Sequence, residues 1–207
     1  MKTIILASSS EFIASTIDNF LPKPLSESKV LYVTTASKKV NDDSYVEKTR
    51  QKIGELSFSY TEIDIAGKTE EELKKALTSC DIVYVEGGNT FYLLKAVRES
   101  GFEKAVKEAM DKGIVYWGVS AGSYIACPSI VMATWSDRFD RFGVTDWSAM
   151  NLVPFLIKAH YAPKYLDSIK RNAKDLQLPM RMLNDNQAII VRDGEVQLIG
   201  EGDDITL

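Results

Sequence analysis

Four short aliphatic runs constrain the fold of this chain more than any other feature. Residues 3–7 (TIILA), 29–34 (KVLYVT), 81–85 (DIVYV) and 114–117 (IVYW) are apolar without alternation and too short to be buried helices. Such runs fit strands covered on both faces, the condition of a parallel sheet. Segments of helical period separate them: residues 11–20, 44–56, 69–79, 90–99 and 102–112. Thr69 followed by Glu72 marks one helix start as a capping box. Residues 57–65 alternate like a further strand. Strand, crossover helix and strand in repetition give a three-layer α/β architecture with a mostly parallel sheet. In the last third, a strand is expected at 155–161 and a helix at 163–176. Asp193-Gly194, between the apolar stretches 188–192 and 195–199, predicts a β-hairpin. No repeat or linker interrupts the pattern, so residues 1–207 read as a single domain.

Composition excludes several functional classes. The 207 residues are 45% hydrophobic and 26% charged, as in an ordinary globular protein with a core of its own. A formal charge of −4 disfavours nucleic-acid binding and docking on an anionic membrane. Cys80 and Cys127 lie far apart and outside any C-x-x-C pair, so no zinc ribbon or other metal site is expected. The apolar stretch after Lys2 is only four residues long and does not read as a signal peptide, which places the expected location in the cytoplasm.

Gly118-Val119-Ser120-Ala121-Gly122 follows the run at 114–117 directly and precedes a segment of small residues. Strand, turn and helix in that order are the setting of a G-x-S-x-G nucleophile elbow. The glycines spare a sharp turn from Cβ collisions, and the turn lifts the serine hydroxyl above the sheet edge. It also leaves the Ala121 N–H at a helix start, where it can stabilise an oxyanion. Gly87-Gly88-Asn89 occupies the corresponding position after the run at 81–85, which makes the Gly88 N–H a second candidate donor. The same glycines also fit a plain βα turn.

A serine nucleophile needs a base, and His160 is the single histidine. The carboxylate that orients it is open between two residues: Asp137, in the aromatic-rich loop 135–142, and Asp185, in Asn184-Asp185-Asn186. Cys127 is a rival nucleophile without an elbow.

Taken together, Val85-Glu86-Gly87-Gly88-Asn89-Thr90-Phe91, Gly118-Val119-Ser120-Ala121-Gly122-Ser123, Ala126-Cys127-Pro128 and Asn151-Leu152-Val153-Pro154 ahead of His160 resemble the peptidase E family. That family holds aspartyl dipeptidases and is related to cyanophycinases. The resemblance implies a serine hydrolase on a flavodoxin-like, glutamine-amidotransferase-like α/β/α sandwich. It implies Ser120 as nucleophile, His160 as base, and the Gly88 and Ala121 amides as oxyanion donors. The family's acid, a Glu before the last strands, falls on Asp185, one methylene shorter. An N-terminal aspartate is read in this family by a basic residue after the histidine. Here residues 161–176 are shorter and offer Lys164, Lys170, Arg171 and Lys174, of which Arg171 is the first candidate because a guanidinium can grip a carboxylate bidentately.

The expected function is therefore a serine dipeptidase acting on small peptides through a Ser-His-Asp relay, as monomer or homodimer, with no cofactor. The rivals are an esterase or amidase on the same elbow, and a catalytically silent small-molecule-binding domain.

Overall fold

The computed structural model describes residues 2–10, 15–55, 58–136 and 139–207. The aliphatic runs form β1 (Thr3–Ala7), β2 (Lys29–Val33), β4 (Ile82–Val85) and β5 (Val115–Val119), and the alternating segment forms β3 (Ser59–Ile63). The helices between them are α1 (Ser44–Glu55), α2 (Glu70–Thr78), α3 (Thr90–Ser100) and α4 (Phe102–Asp111), with the short α5 (Ala121–Ala126) after β5. The capping box at the start of α2 is present in both directions: Thr69 accepts from the Glu72 N–H, and Glu72 accepts from the Thr69 N–H. Helix α3 is capped by Asn89, whose side-chain oxygen accepts from the Phe91 and Tyr92 N–H groups.

Strands β8 (Gln187–Arg192) and β9 (Glu195–Gly200) form the expected hairpin. Arg192 pairs with Glu195, and the two loop residues Asp193 and Gly194 have φ of 49° and 91°, the left-handed pair that a two-residue turn requires. The hairpin extends the main sheet, whose seven strands run β3-β2-β4-β5-β1-β8-β9. The first five are parallel, and β8 joins β1 antiparallel. The sheet is covered on both sides, as its unbroken apolar strands require. Ile4, Leu6, Leu31, Val33, Val83 and Val85 face a core shared with α2–α5. Ile5, Ala7, Val30, Tyr32, Ile82 and Tyr84 face a second core closed by α1 and Ile17. The result is a three-layer α/β/α sandwich with a mostly parallel sheet. Among the described residues no helix is long and apolar enough to cross a membrane.

The C-terminal third differs from expectation in detail. The segment 155–161 contributes only a three-residue strand, β6 (Leu156–Lys158), to a separate sheet with β7 (Met180–Met182) and β10 (Ile205–Thr206), in the order β10-β7-β6. Strands of two and three residues show no readable period. The helix expected over 163–176 is a 3-10 turn, Pro163–Tyr165, followed by α6 (Leu166–Ala173). It stops early because Ile169 is its only fully buried anchor. The expected helix at 11–20 is a 3-10 helix over Ser15–Phe20, and residues 11–14 lie outside the described residues.

Three adjacent strands, β4, β5 and β1, end on the same edge of the sheet, so the loops that follow them converge. Because β8 runs antiparallel to β1, its beginning reaches that edge too, and the Ser8 N–H donates to the Gln187 carbonyl at 3.2 Å. Parallel α/β sheets gather their sites at such carboxyl ends.

Candidate active site

Ser120 leaves β5 with φ 48° and ψ −104°, a conformation costing about 1–3 kcal/mol for a residue with a Cβ. The surroundings enforce it. A Cβ on Gly118 would lie 2.5 Å from the Gly122 carbonyl, and one on Gly122 would lie 2.1 Å from the Val85 oxygen. Both positions therefore exclude any side chain, and α5 packs directly on the ends of β4 and β5. The turn is tied down by the Ser120 N–H donating to the Ala7 carbonyl at 3.0 Å and by the Tyr116 hydroxyl donating to the Gly122 carbonyl at 2.7 Å.

Ser120 Oγ lies 2.9 Å from His160 Nε2, and His160 Nδ1 lies 2.6 Å from Asp185 Oδ1. Three side chains from distant parts of the chain thus form one continuous line of hydrogen bonds. His160 follows β6 with φ 56°, again left-handed. Its backbone is held by its own N–H donating to Ser8 Oγ at 2.7 Å and by the Tyr161 N–H donating to the Leu183 carbonyl at 2.9 Å. Ser8 in turn donates to Asp185 Oδ1 at 2.9 Å. This one hydroxyl braces both the histidine backbone and the carboxylate. Nothing in the sequence marks it, since the three groups are brought together by the β1–β8 pairing and by the separate sheet that carries β6. Asp185 sits in a turn in which the Asn186 N–H donates to the Asn184 side chain at 2.8 Å and the Asn184 N–H donates to the Gln187 side chain at 3.0 Å. The hydrogen bond from His160 holds the Asp185 carboxyl below its ordinary value, against the opposing effect of burial. That pairing is present above the unfolded carboxylate value of ~3.9 and is lost as pH falls through the lower folded value.

The Gly87-Gly88 loop passes beside the serine: a Cβ on Gly87 would lie 3.2 Å from Ser120 Cβ. Gly88 has φ 138°, and a Cβ there would meet the Ala36 carbonyl at 2.3 Å. Neither the Gly88 nor the Ala121 N–H donates to an acceptor among the described residues. Of the other candidates, Cys127 is fully buried, its thiol pushed up to about 12 by burial, and it donates to the Ser123 carbonyl. It is packed as a core residue and lacks the thiolate of a nucleophile. Arg171 is exposed on α6 and is not one of the groups hydrogen-bonded in the Ser120–His160–Asp185 line. Asp137 lies outside the described residues.

The chain matches the model of peptidase family S51 over residues 4–199. It belongs to that family. An uncharacterized peptidase of Listeria innocua is 30% identical over 200 residues, covering 95% of each chain. Peptidase E of Shigella flexneri is 30% identical over 167 residues, 80% of this chain and 66% of that protein. A crystal structure of a candidate peptidase E from Listeria monocytogenes superposes with a TM-score of 0.85 at 28% identity, covering 98% of this chain and 100% of the other. This S51 chain is thus a serine-type peptidase of the peptidase E kind.

Glu86 stands in the motif at 85–91 without an assigned role. Glu86 is buried at the end of β4, where its Oε2 accepts from the Tyr32 hydroxyl at 2.6 Å and its Oε1 from the Gly87 N–H at 2.8 Å. Burial raises its pKa despite those two donors. A raised folded value means that its contribution to stability is present below the unfolded value of ~4.3 and is lost as pH rises through the folded value. Glu86→Gln, which cannot titrate, is therefore expected to gain thermal stability relative to the parent as pH rises from about 4 to about 7. Paired melting curves across that range check this, and a difference independent of pH would contradict it.

Proposed function

We infer that this S51 peptidase hydrolyses dipeptides or short peptides through an acyl-enzyme on Ser120, with His160 as base and Asp185 as the group that holds the imidazole. The observation that carries the reading is the unbroken line from Ser120 Oγ through both ring nitrogens of His160 to Asp185. With the ring proton on Nδ1 donated to Asp185, Nε2 is left to accept the Ser120 proton as Oγ attacks the scissile carbonyl. The oxyanion of the tetrahedral intermediate takes hydrogen bonds from the Gly88 and Ala121 N–H groups, both of which have their donor capacity free for it. The imidazolium then gives its proton to the departing amine, and water repeats the sequence on the acyl-serine.

A panel of dipeptides set against p-nitrophenyl esters tests this reading. Turnover of dipeptides above that of esters supports a peptidase; ester turnover alone would make the site an esterase.

For the acyl-side residue, the reading is an N-terminal aspartate met by Arg171. Its guanidinium is exposed and forms no ion pair among the described residues, whereas Lys174 already lies 3.9 Å from Asp175. A carboxylate drawn into the cleft must be paired, and a charged hydrogen bond of that kind is worth about 1.5–3 kcal/mol. Arg171→Ala should lower kcat/KM for Asp-Xaa dipeptides by about 10–100-fold, the equivalent of that energy, and leave neutral esters unchanged. Equal losses on both substrates, or none, would remove Arg171 from substrate recognition.

A further inference from the structure

The N–H groups of residues 87, 88 and 89 meet different partners. The Gly87 N–H is taken by Glu86 Oε1 at 2.8 Å, and the Asn89 N–H by the Ala36 carbonyl at 2.9 Å. Only the middle one, on Gly88, is left without an acceptor among the described residues. Two consecutive glycines leave the peptide between them free to rotate, because neither carries a Cβ that resists. What fixes that peptide is its carbonyl: the Tyr45 hydroxyl of α1 donates to the Gly87 oxygen at 3.1 Å.

We propose that Tyr45 is a positioning residue for catalysis, holding the Gly87–Gly88 peptide in the orientation that presents the Gly88 N–H to the oxyanion. This rests on the reading of Gly88 as an oxyanion donor. The described peptide bonds are all trans, so the carbonyl of Gly87 and the N–H of Gly88 point in opposite directions within one plane. Anchoring the carbonyl toward α1 turns the N–H away from α1. Donation to the carbonyl also polarises the peptide group, which strengthens its N–H as a donor. The Tyr45 ring packs against the core on the α1 side of the sheet, and its backbone carbonyl accepts from Thr49 one turn later at 3.1 Å. The hydroxyl is therefore delivered by a side chain anchored at its base.

Tyr45→Phe keeps the ring and removes only the hydroxyl. Removing an oxyanion donor outright costs about 10²–10³-fold in kcat; loosening one should cost about tenfold. The expected result is a kcat about tenfold lower with KM within about twofold of the parent on the best-cleaved dipeptide. The rate of phosphonylation of Ser120 by a fluorophosphonate should fall by the same factor, because the phosphonyl oxygen takes the oxyanion's place. A purely structural role would lower Tm or raise KM and leave the phosphonylation rate of the folded fraction unchanged, and that result would overturn the proposal. Unchanged kcat and unchanged phosphonylation would overturn it equally. Ser120→Ala, run alongside, keeps the two levels apart. Loss of labelling there with no effect in Tyr45→Phe refutes Tyr45 alone, and persistent labelling there refutes the serine reading on which it rests.

Discussion

Ser120→Ala is expected to lower kcat by about 10⁴–10⁶-fold while leaving the melting temperature close to that of the parent. Its hydroxyl hydrogen-bonds His160 and sits at the exposed end of the elbow. The turn itself is held by backbone bonds and by Gly118 and Gly122, all untouched by the substitution. His160→Ala should cost a similar amount, since without an acceptor at Nε2 the serine proton has nowhere to go. The two residues act as a unit, so the double variant should be little worse than either single one. Steady-state kinetics on the best-cleaved dipeptide check this. Near-parental turnover in His160→Ala would break the assignment.

Asp185→Asn is the second large effect, about 10²–10⁴-fold in kcat. An amide in place of the carboxylate can present N–H to His160 Nδ1, which moves the ring proton to Nε2 and leaves no lone pair facing Ser120. It also removes the negative charge that would stabilise the imidazolium. Ser8 Oγ, which donates to the same Oδ1 atom that meets His160, can instead accept from the amide N–H and keep the asparagine in place, so the loss should fall on chemistry and not on folding. Asp137→Asn should stay close to the parent. A larger loss in Asp137→Asn than in Asp185→Asn would transfer the orienting role to the 135–142 loop.

The elbow was legible in the sequence because its demands are steric and local. Gly118 and Gly122 must lack side chains for α5 to lie on β4 and β5, and a G-x-S-x-G after an aliphatic run states that need in five consecutive letters. The parallel core was legible for a similar reason: strands buried on both faces cannot alternate. Asp185 was not legible from spacing, which left it level with Asp137. Its approach to His160 depends on β8 running antiparallel to β1 and on the separate sheet that carries β6. Strands β7 and β10, three and two residues long, are set by pairing partners and not by local preference. The roles of Ser8, Tyr45 and Glu86 were not legible either. Each acts through a hydrogen bond to a loop: Ser8 and Tyr45 reach theirs across a long stretch of chain, and Glu86 reaches its own neighbour from a buried position that its acidic side chain disguises.

The most direct test of the central claim is to treat the protein with a fluorophosphonate, weigh it intact, and map the adduct by peptide digestion. The account predicts one adduct per chain, carried by the peptide that contains Ser120, and its disappearance in His160→Ala at the same reagent exposure. An adduct on another serine, or undiminished labelling of Ser120 without His160, would contradict it.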